Sequence, residues 1–232
     1  MSKLIFDIET IGEDFDSLDQ ATQDVLTRWL KKESKTDEEY QARLEDIKQG
    51  LGFSALTGQI IAIGVLDYVK DRGAVLYQAP AENIKDFEED GIKFRQMSEQ
   101  EMLSNFWQGA KEYREFISFN GRVFDAPFLM IRSAIFKIKP TANLMPPRYA
   151  SATNHIDLLD QLTFFGATYK KGNLHLWCRA FGIESPKTKG VTGDDVSLLF
   201  KQKQYLDIAR YNVRDLRATK ELYDYWQKYL KF

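Results

Sequence analysis

The segment Leu4-Ile5-Phe6-Asp7-Ile8-Glu9-Thr10 sets two carboxylates, Asp7 and Glu9, inside an apolar run of the kind that becomes a buried strand. Side chains alternate across a strand, so Asp7 and Glu9 leave on one face while Phe6 and Ile8 leave on the other. Two neighbouring carboxylates in a partly buried place repel each other and take up protons unless a cation joins them. The run is therefore either an exposed edge strand or half of a divalent-metal site. Asp-x-Glu recurs at Asp37-Glu38-Glu39, in a charged helical stretch, and at Asp86-Phe87-Glu88, in the acidic loop "DFEEDG". Setting rather than spacing singles out the first pair.

Two later segments carry acids in equally uncommon places. In "SFNGRVFDAPFL" a strand runs through Asn120-Gly121 into Phe124-Asp125 at a helix start. Asp125 reads there either as an N-cap, a common use of aspartate, or as a third acid of a site. In "ARYNVRDLRAT" Tyr211 and Asp215 stand four apart on one face of the last helix. That face lies well around from the expected core stripe of Leu206, Ala209, Val213, Leu216 and Tyr223. An exposed acid in a helical ion pair is the plain alternative for Asp215. Its helical neighbours Tyr211, Asn212, Ala218 and Thr219 include no base, however, and Leu222 and Trp226 lie near the same side. Of eleven tyrosines, only Tyr211 is followed four residues later by aspartate.

Positioning these groups requires a sheet and helices against it. Residues 2 to 9 read as a strand, and the chain from about Asp16 to Gly50 reads as helical, with Gly50 suited to a C-cap. "GQIIAIGVLDY" and "GAVLYQA", joined by "KDRG", read as a hairpin. Ser98 and Glu101 form a capping box for a helix running to about Tyr113. "FISFN" is the next strand, and "APFLMIRSAIF" the next helix, with Pro127 in its first turn. The stretch "PTANLMPPRYASATN" is loop, and short helices are expected around 157 to 165 and 173 to 181. A basic loop with Pro186 and Gly190 follows, and from Asp194 onward the chain reads as helical. This order predicts a mixed sheet flanked by helices. The segment at about 13–57 reads as a helical insertion at a sheet edge, serving as a lid, a partner surface or a cap on the sheet.

Composition narrows the chemistry. With 232 residues, 44% of them hydrophobic, the chain suits one large domain. Its apolar runs, such as "IIAIGVL", fall far short of the roughly 20 residues of a membrane-spanning helix, and acids occupy the amino-terminal stretch. The expectation is a soluble, cytoplasmic protein. One cysteine, Cys178, excludes an internal disulfide and a cysteine-cluster zinc site. Two histidines, His155 and His175, leave little for a nitrogen-rich one, so any metal is held by oxygen. The net charge of -2 conceals a gradient: residues 1–125 carry -10, residues 126–183 carry +5 and residues 184–232 carry +3. The carboxy-terminal half suits a polyanion, although uneven surface charge alone also accounts for it.

With the three segments in this order, the chain resembles the DEDD superfamily of 3'-5' exonucleases. The likeness is to the tyrosine-type (DEDDy) branch, which includes the proofreading domains of family B DNA polymerases and the ribonuclease D group. "FDIET" is similar to the first exonuclease motif, "FNGRVFDAPFL" to the second and "YNVRD" to the third. "HIDLLDQL" and "GNLHLWCRAFGI" further resemble stand-alone exonucleases of the polymerase B type. The resemblance implies an α/β, ribonuclease H-like (DnaQ-like exonuclease) fold, with a mixed sheet of about five strands flanked by helices. It implies one exonuclease domain over residues 1–232. The histidine-type branch uses His-x-x-x-x-Asp, a spacing that His155 and Asp160 share, but they come too early for that role. The resemblance favours Tyr211 and Asp215, with Asp157 structural and His175 a packed or capping residue.

In such enzymes four carboxylates hold two divalent cations about 4 Å apart, one activating water and the other stabilising the departing 3' oxygen. By resemblance Asp7 bridges both, Glu9 and Asp215 complete the first position, and Asp125 serves the second. Tyr211 would orient the attacking water, since a phenol with a pKa of about 10 is a poor base at neutral pH. Oxygen ligands suit Mg2+ or Mn2+. The implied reaction is hydrolysis of the terminal phosphodiester of a single strand, DNA favoured over RNA, with release of nucleoside 5'-monophosphates. Thr10, Asn120 and Phe124 are the candidate contacts to the terminal nucleotide. Phe164, Phe165, Tyr169, Lys170 and Lys171 read either as core and surface or as a stacking and phosphate-tracking group. The alternatives are a non-catalytic nucleic-acid-binding relative, a ribonuclease D-type exoribonuclease, and an endonuclease or other metal-dependent phosphodiesterase.

Overall fold

A computed structural model describes residues 2–149, 154–189 and 195–231. Strand β1 (Lys3–Gly12) is followed by three helices, α1 (Gln20–Thr27), α2 (Leu30–Glu33) and α3 (Asp37–Gly50). Then come β2 (Gly58–Asp67), β3 (Arg72–Tyr77), β4 (Phe87–Glu89), β5 (Ile92–Gln96), α4 (Glu99–Ala110), β6 (Glu115–Ser118) and α5 (Asp125–Ile135). Strand β7 (His155–Asp157) leads into α6 (Leu158–Leu162), α7 (Leu174–Phe181), α8 (Val196–Lys201) and α9 (Tyr205–Tyr229).

The strands form one mixed sheet in the order β4-β5-β3-β2-β1-β6-β7. β1 is antiparallel to β2 and parallel to β6, so it lies inside the sheet and not at an edge. Seven strands replace the expected five or so. The additions are short: β4 is Phe-Glu-Glu and β7 has three residues, too few for an alternation to register. The acidic loop is in fact a hairpin, turned at Asp90 and Gly91, both with positive φ. Asp-Gly is a favoured pair for such a turn.

Alternation along β1 divides the core in two. Leu4, Phe6 and Ile8 pack with Met102, Leu103, Phe106 and Trp107 of α4 and with Phe128 and Leu129 of α5. Ile5, on the opposite face, packs with Ala62, Leu66 and the α9 residues Ala209, Leu216, Leu222 and Tyr223. The result is three layers with the sheet in the middle. The Ser98–Glu101 capping box opens α4 as expected. The buried Glu99 carboxylate accepts from Arg132 at 2.7 and 2.8 Å and from Ile60 N at 2.9 Å, tying α4, α5 and β2 together.

Some boundaries depart from expectation. Gly50 keeps right-handed geometry (φ -76) as α3 runs on into a tight turn at Leu51–Phe53, so it is not a left-handed cap. The terminal helical region is two helices, broken where Lys203 takes a φ of 60°. Gly190, Asp194 and residues 150–153 of the expected loop lie outside the described residues. Among the described residues no helix is long and apolar enough to cross a membrane.

Candidate active site

Asp7 faces Gly64 across the β1–β2 ladder. A Cβ on Gly64 would lie 1.9 Å from Asn212 Oδ1 and 2.8 Å from Leu216 Cδ1, so the missing side chain lets α9 lie directly on the strands. The buried Asn212 then donates from Nδ2 to Asp7 Oδ2 at 2.7 Å. Its own Oδ1 finds no hydrogen-bond partner among the described residues. One turn further along α9, Asp215 joins the group. Ligand oxygens of Asp7, Glu9 and Asp215 all lie within 4.8 Å of one another.

Asp125 comes from the other direction, as the first residue of α5. The N-cap reading fails: Phe124 holds the cap position, and no side chain caps that helix. The Asp125 Oδ1 instead accepts from Ile8 N at 2.9 Å, which locks the carboxylate to β1 between Asp7 and Glu9. Asp157 fixes the loop before it, accepting from Asn120 N and Arg122 N, each at 2.9 Å. This clamp holds Asn120 at a φ of 60°, a left-handed conformation that asparagine tolerates better than most residues.

Tyr211 is buried, one turn before Asp215 on α9, and both border the same cavity. The face of α9 bearing Tyr211 and Asp215 is thus part of a buried band wider than the expected stripe. Leu206 and Val213, assigned to that stripe, are only partly buried.

Asp7, Asp125, Tyr211 and Asp215 share the wall of one cavity of about 440 Å³. Asn120 and Phe124 line it too. Thr10 does not: a register shift between Glu9 and Thr10 turns its hydroxyl to Gly52 O, 2.7 Å away. Among the cavity residues not foreseen as site residues are Phe53, Lys187 and His175. Phe53 comes from the turn after α3 and meets Phe124 edge-on at 6.3 Å between ring centres. Lys187 lies in the basic loop, where its charge was the only signal. His175 bonds Ser185 Oγ at 2.6 Å, as a packed histidine would, yet its ring also borders the cavity. Asn212 gave no signal beyond being one polar residue in a helix.

His155 and Asp160 lie elsewhere. His155 is buried, with Leu144 O at 2.7 Å on Nδ1 and Ser118 Oγ at 2.8 Å on Nε2, and burial holds its pKa down at about 4. Asp160 pairs with Arg148. Neither lines the cavity.

The electrostatics follow from burial and crowding. Desolvation pushes Asp125 and Asp215 up to about 7. Asp7 and Glu9 are raised well above the usual carboxylate range, first by desolvation and then by the neighbouring acids. Tyr211 is raised as well, by desolvation and then by Asp215. Such a cluster holds protons at neutral pH unless positive charge enters it. The donor set fits a hard divalent cation: every converging ligand atom is a carboxylate oxygen, and neither histidine nor Cys178 belongs to the cluster.

A family described as a predicted 3'-5' exonuclease related to the exonuclease domain of PolB matches residues 58–229. The chain belongs to this family. The matched region of this PolB-related member contains Asp125, Tyr211 and Asp215, whereas Asp7 and Glu9 precede it and join them through the fold. Among curated proteins no sequence matches the chain. A solved structure that it resembles is the family B DNA polymerase from the hyperthermophilic archaeon Pyrobaculum calidifontis, with a TM-score of 0.58 and 16% identity. The alignment covers 98% of this chain and 24% of the polymerase, so the chain spans about a quarter of that protein's length. The likeness is one of fold, and the sheet with its flanking helices is ribonuclease H-like.

Proposed function

We propose that this chain is a cation-dependent 3'-5' exonuclease of the tyrosine type. In this reading it shortens single-stranded nucleic acid from the 3' end and releases nucleoside 5'-monophosphates. The observation that carries the proposal is the convergence of Asp7, Glu9 and Asp215, within 4.8 Å, beside a cavity that Asp125 and Tyr211 also line. The preference for DNA over RNA rests on the likeness to a DNA polymerase. Residues 1–232 are taken as one exonuclease domain, with 13–57 inserted in it.

Asp7, Glu9, Asp125 and Asp215 would hold two divalent cations, Mg2+ or Mn2+. Such ions supply charge neutralisation at a phosphate and a lowered pKa for water. The remaining roles belong to the protein. Asn212 fixes the Asp7 carboxylate by its 2.7 Å bond, so the central acid does not swing away from its neighbours. Ile8 N does the same for Asp125. The Tyr211 phenol keeps its proton, because burial and the acids around it raise its pKa, so it orients a water by hydrogen bonding and does not act as base. Phe124 and Asn120 border the space for the terminal nucleotide. A module built only to bind would gain repulsion toward phosphate from four clustered carboxylates.

The test is incubation of 5'-labelled single-stranded DNA and RNA with Mg2+, Mn2+ or chelator, with wild type beside Asp7→Ala. Stepwise shortening that needs both cation and Asp7 is expected. Tight binding without cleavage would identify a binding module instead, and internal cuts an endonuclease.

A further inference from the structure

After α6 the chain takes three successive left-handed residues: Phe164 (φ 50°), Phe165 (φ 57°) and Gly166 (φ 92°). Glycine accepts this geometry, but two bulky aromatic residues in a row are strained by it. The turn is held by hydrogen bonds from Phe165 N to Asp160 O at 2.7 Å and from Gly166 N to Thr163 O at 3.1 Å. Burial does not repay the strain, because Phe164 is 55% and Phe165 40% exposed. Two more aromatics stand close by in space or sequence. Tyr149, 76% exposed, lies 5.5 Å from the Phe165 ring, and Tyr169 is 98% exposed. Strain retained at an exposed aromatic group points to use.

The loop that carries the group starts and ends at the cleft: Leu159, five residues before Phe164, and Gly172, three after Tyr169, both line the cavity. Exposed Lys170 and Lys171 stand on the same loop, in the segment of the chain with net charge +5.

We propose that Tyr149, Phe164, Phe165 and Tyr169 form a stacking platform for the bases of a single strand whose 3' end enters the cavity, with Lys170 and Lys171 following its phosphates. Every base has a π-face, so the platform is tolerant of sequence. The polarity of the strand rests on the exonuclease reading, but its binding does not. The cations beside a phosphate-processing cavity favour a nucleic acid over a protein as occupant.

The test uses the full chain with Phe164→Gly and Phe165→Gly together. Glycine removes both rings and accepts the left-handed backbone, so the melting temperature should not fall by more than a few degrees. Affinity for a 5'-labelled oligothymidylate, measured by fluorescence anisotropy in chelator, should fall about 10- to 100-fold. Phe164→Tyr with Phe165→Tyr should restore it. Hydrolysis of the p-nitrophenyl ester of thymidine 5'-monophosphate in Mg2+, which needs only the cavity, should be unchanged. Unchanged oligonucleotide affinity in the glycine variant, or no binding by the wild type, overturns the platform. If affinity falls as expected while the wild type cleaves nothing, the platform stands and the exonuclease reading fails.

Discussion

Asn212 Nδ2 lies 2.7 Å from Asp7 Oδ2, linking the longest described helix to β1 across 205 positions of sequence. This bond orients the carboxylate at the middle of the acid cluster. Groups that orient a ligand are commonly worth about 10–100-fold in metal affinity or activity. Asn212→Ala is expected to lose turnover in that range and to need more Mg2+ for half-maximal rate. A Mg2+ titration of the initial rate checks both, with circular dichroism showing that the fold is kept.

Gly64 is the counterpart of that contact. Gly64→Ala places a methyl 1.9 Å from Asn212 Oδ1 and 2.8 Å from Leu216 Cδ1, so these side chains, or α9 with them, must shift away from β2. The expected cost is about 1–3 kcal/mol of stability, typical of overpacking, together with a fall in activity. Urea denaturation and rate measurements on one preparation test whether the two losses come together.

The raised carboxylates make a directional prediction for the cation-free protein. Asp125 titrates at about 7 when folded, because burial disfavours its charge, and at about 3.9 when unfolded. Between these values the folded state holds a proton that the unfolded state has released. The stability contributed by Asp125 is therefore complete below its unfolded pKa and is lost as pH rises through its folded pKa. Asp125→Asn can keep the acceptor for Ile8 N without titrating. In chelator it should be more stable than wild type above neutrality, by about 1–3 kcal/mol, with the difference closing toward pH 4. Denaturation curves across pH check the sign. Saturating Mg2+ should reverse the order, because the ion binds the wild-type folded state more strongly.

Tyr211→Phe removes the hydroxyl and leaves the ring in place beneath the Arg214 guanidinium, 5.5 Å away. Losing the hydroxyl proposed to orient the attacking water is expected to lower kcat about 10- to 100-fold, with KM little changed. His155→Ala should disturb stability instead, since His155 bridges Ser118 and Leu144 O in the core. Steady-state kinetics on both variants separate the roles.

What could be read from the chain depended on whether a residue violated its local pattern. Asp7 and Glu9 were legible because acids interrupt an apolar strand, and Tyr211 with Asp215 because the spacing is unique among the tyrosines. The Ser98 capping box and the β2–β3 hairpin carry strong local signals and form as expected. Asn212 violates nothing as a polar helical residue, and only the packing of α9 over Gly64 gives it a role. Asp125 stayed ambiguous because helix starts commonly carry aspartate, and the bond to Ile8 N that decides it spans 117 positions. Thr10, named only through the family resemblance, gives its hydroxyl to Gly52 O and does not line the cavity. Phe53 reaches the cavity only through the position of the segment before β2.

In the proposed reaction Asp7 belongs to a cation-dependent centre that removes nucleotides from a 3' end. The most direct measurement is chromatographic quantification of nucleotides released from a single-stranded oligodeoxynucleotide in Mg2+, by wild type and by Asp7→Asn folded to the same degree. Expected are nucleoside 5'-monophosphates as the only small product, no release in chelator, and a rate about 100- to 1,000-fold lower in the variant, as for loss of an electrostatic catalytic group. Equal rates in the two proteins, release that persists in chelator, or nucleoside 3'-monophosphates as product would contradict the proposal.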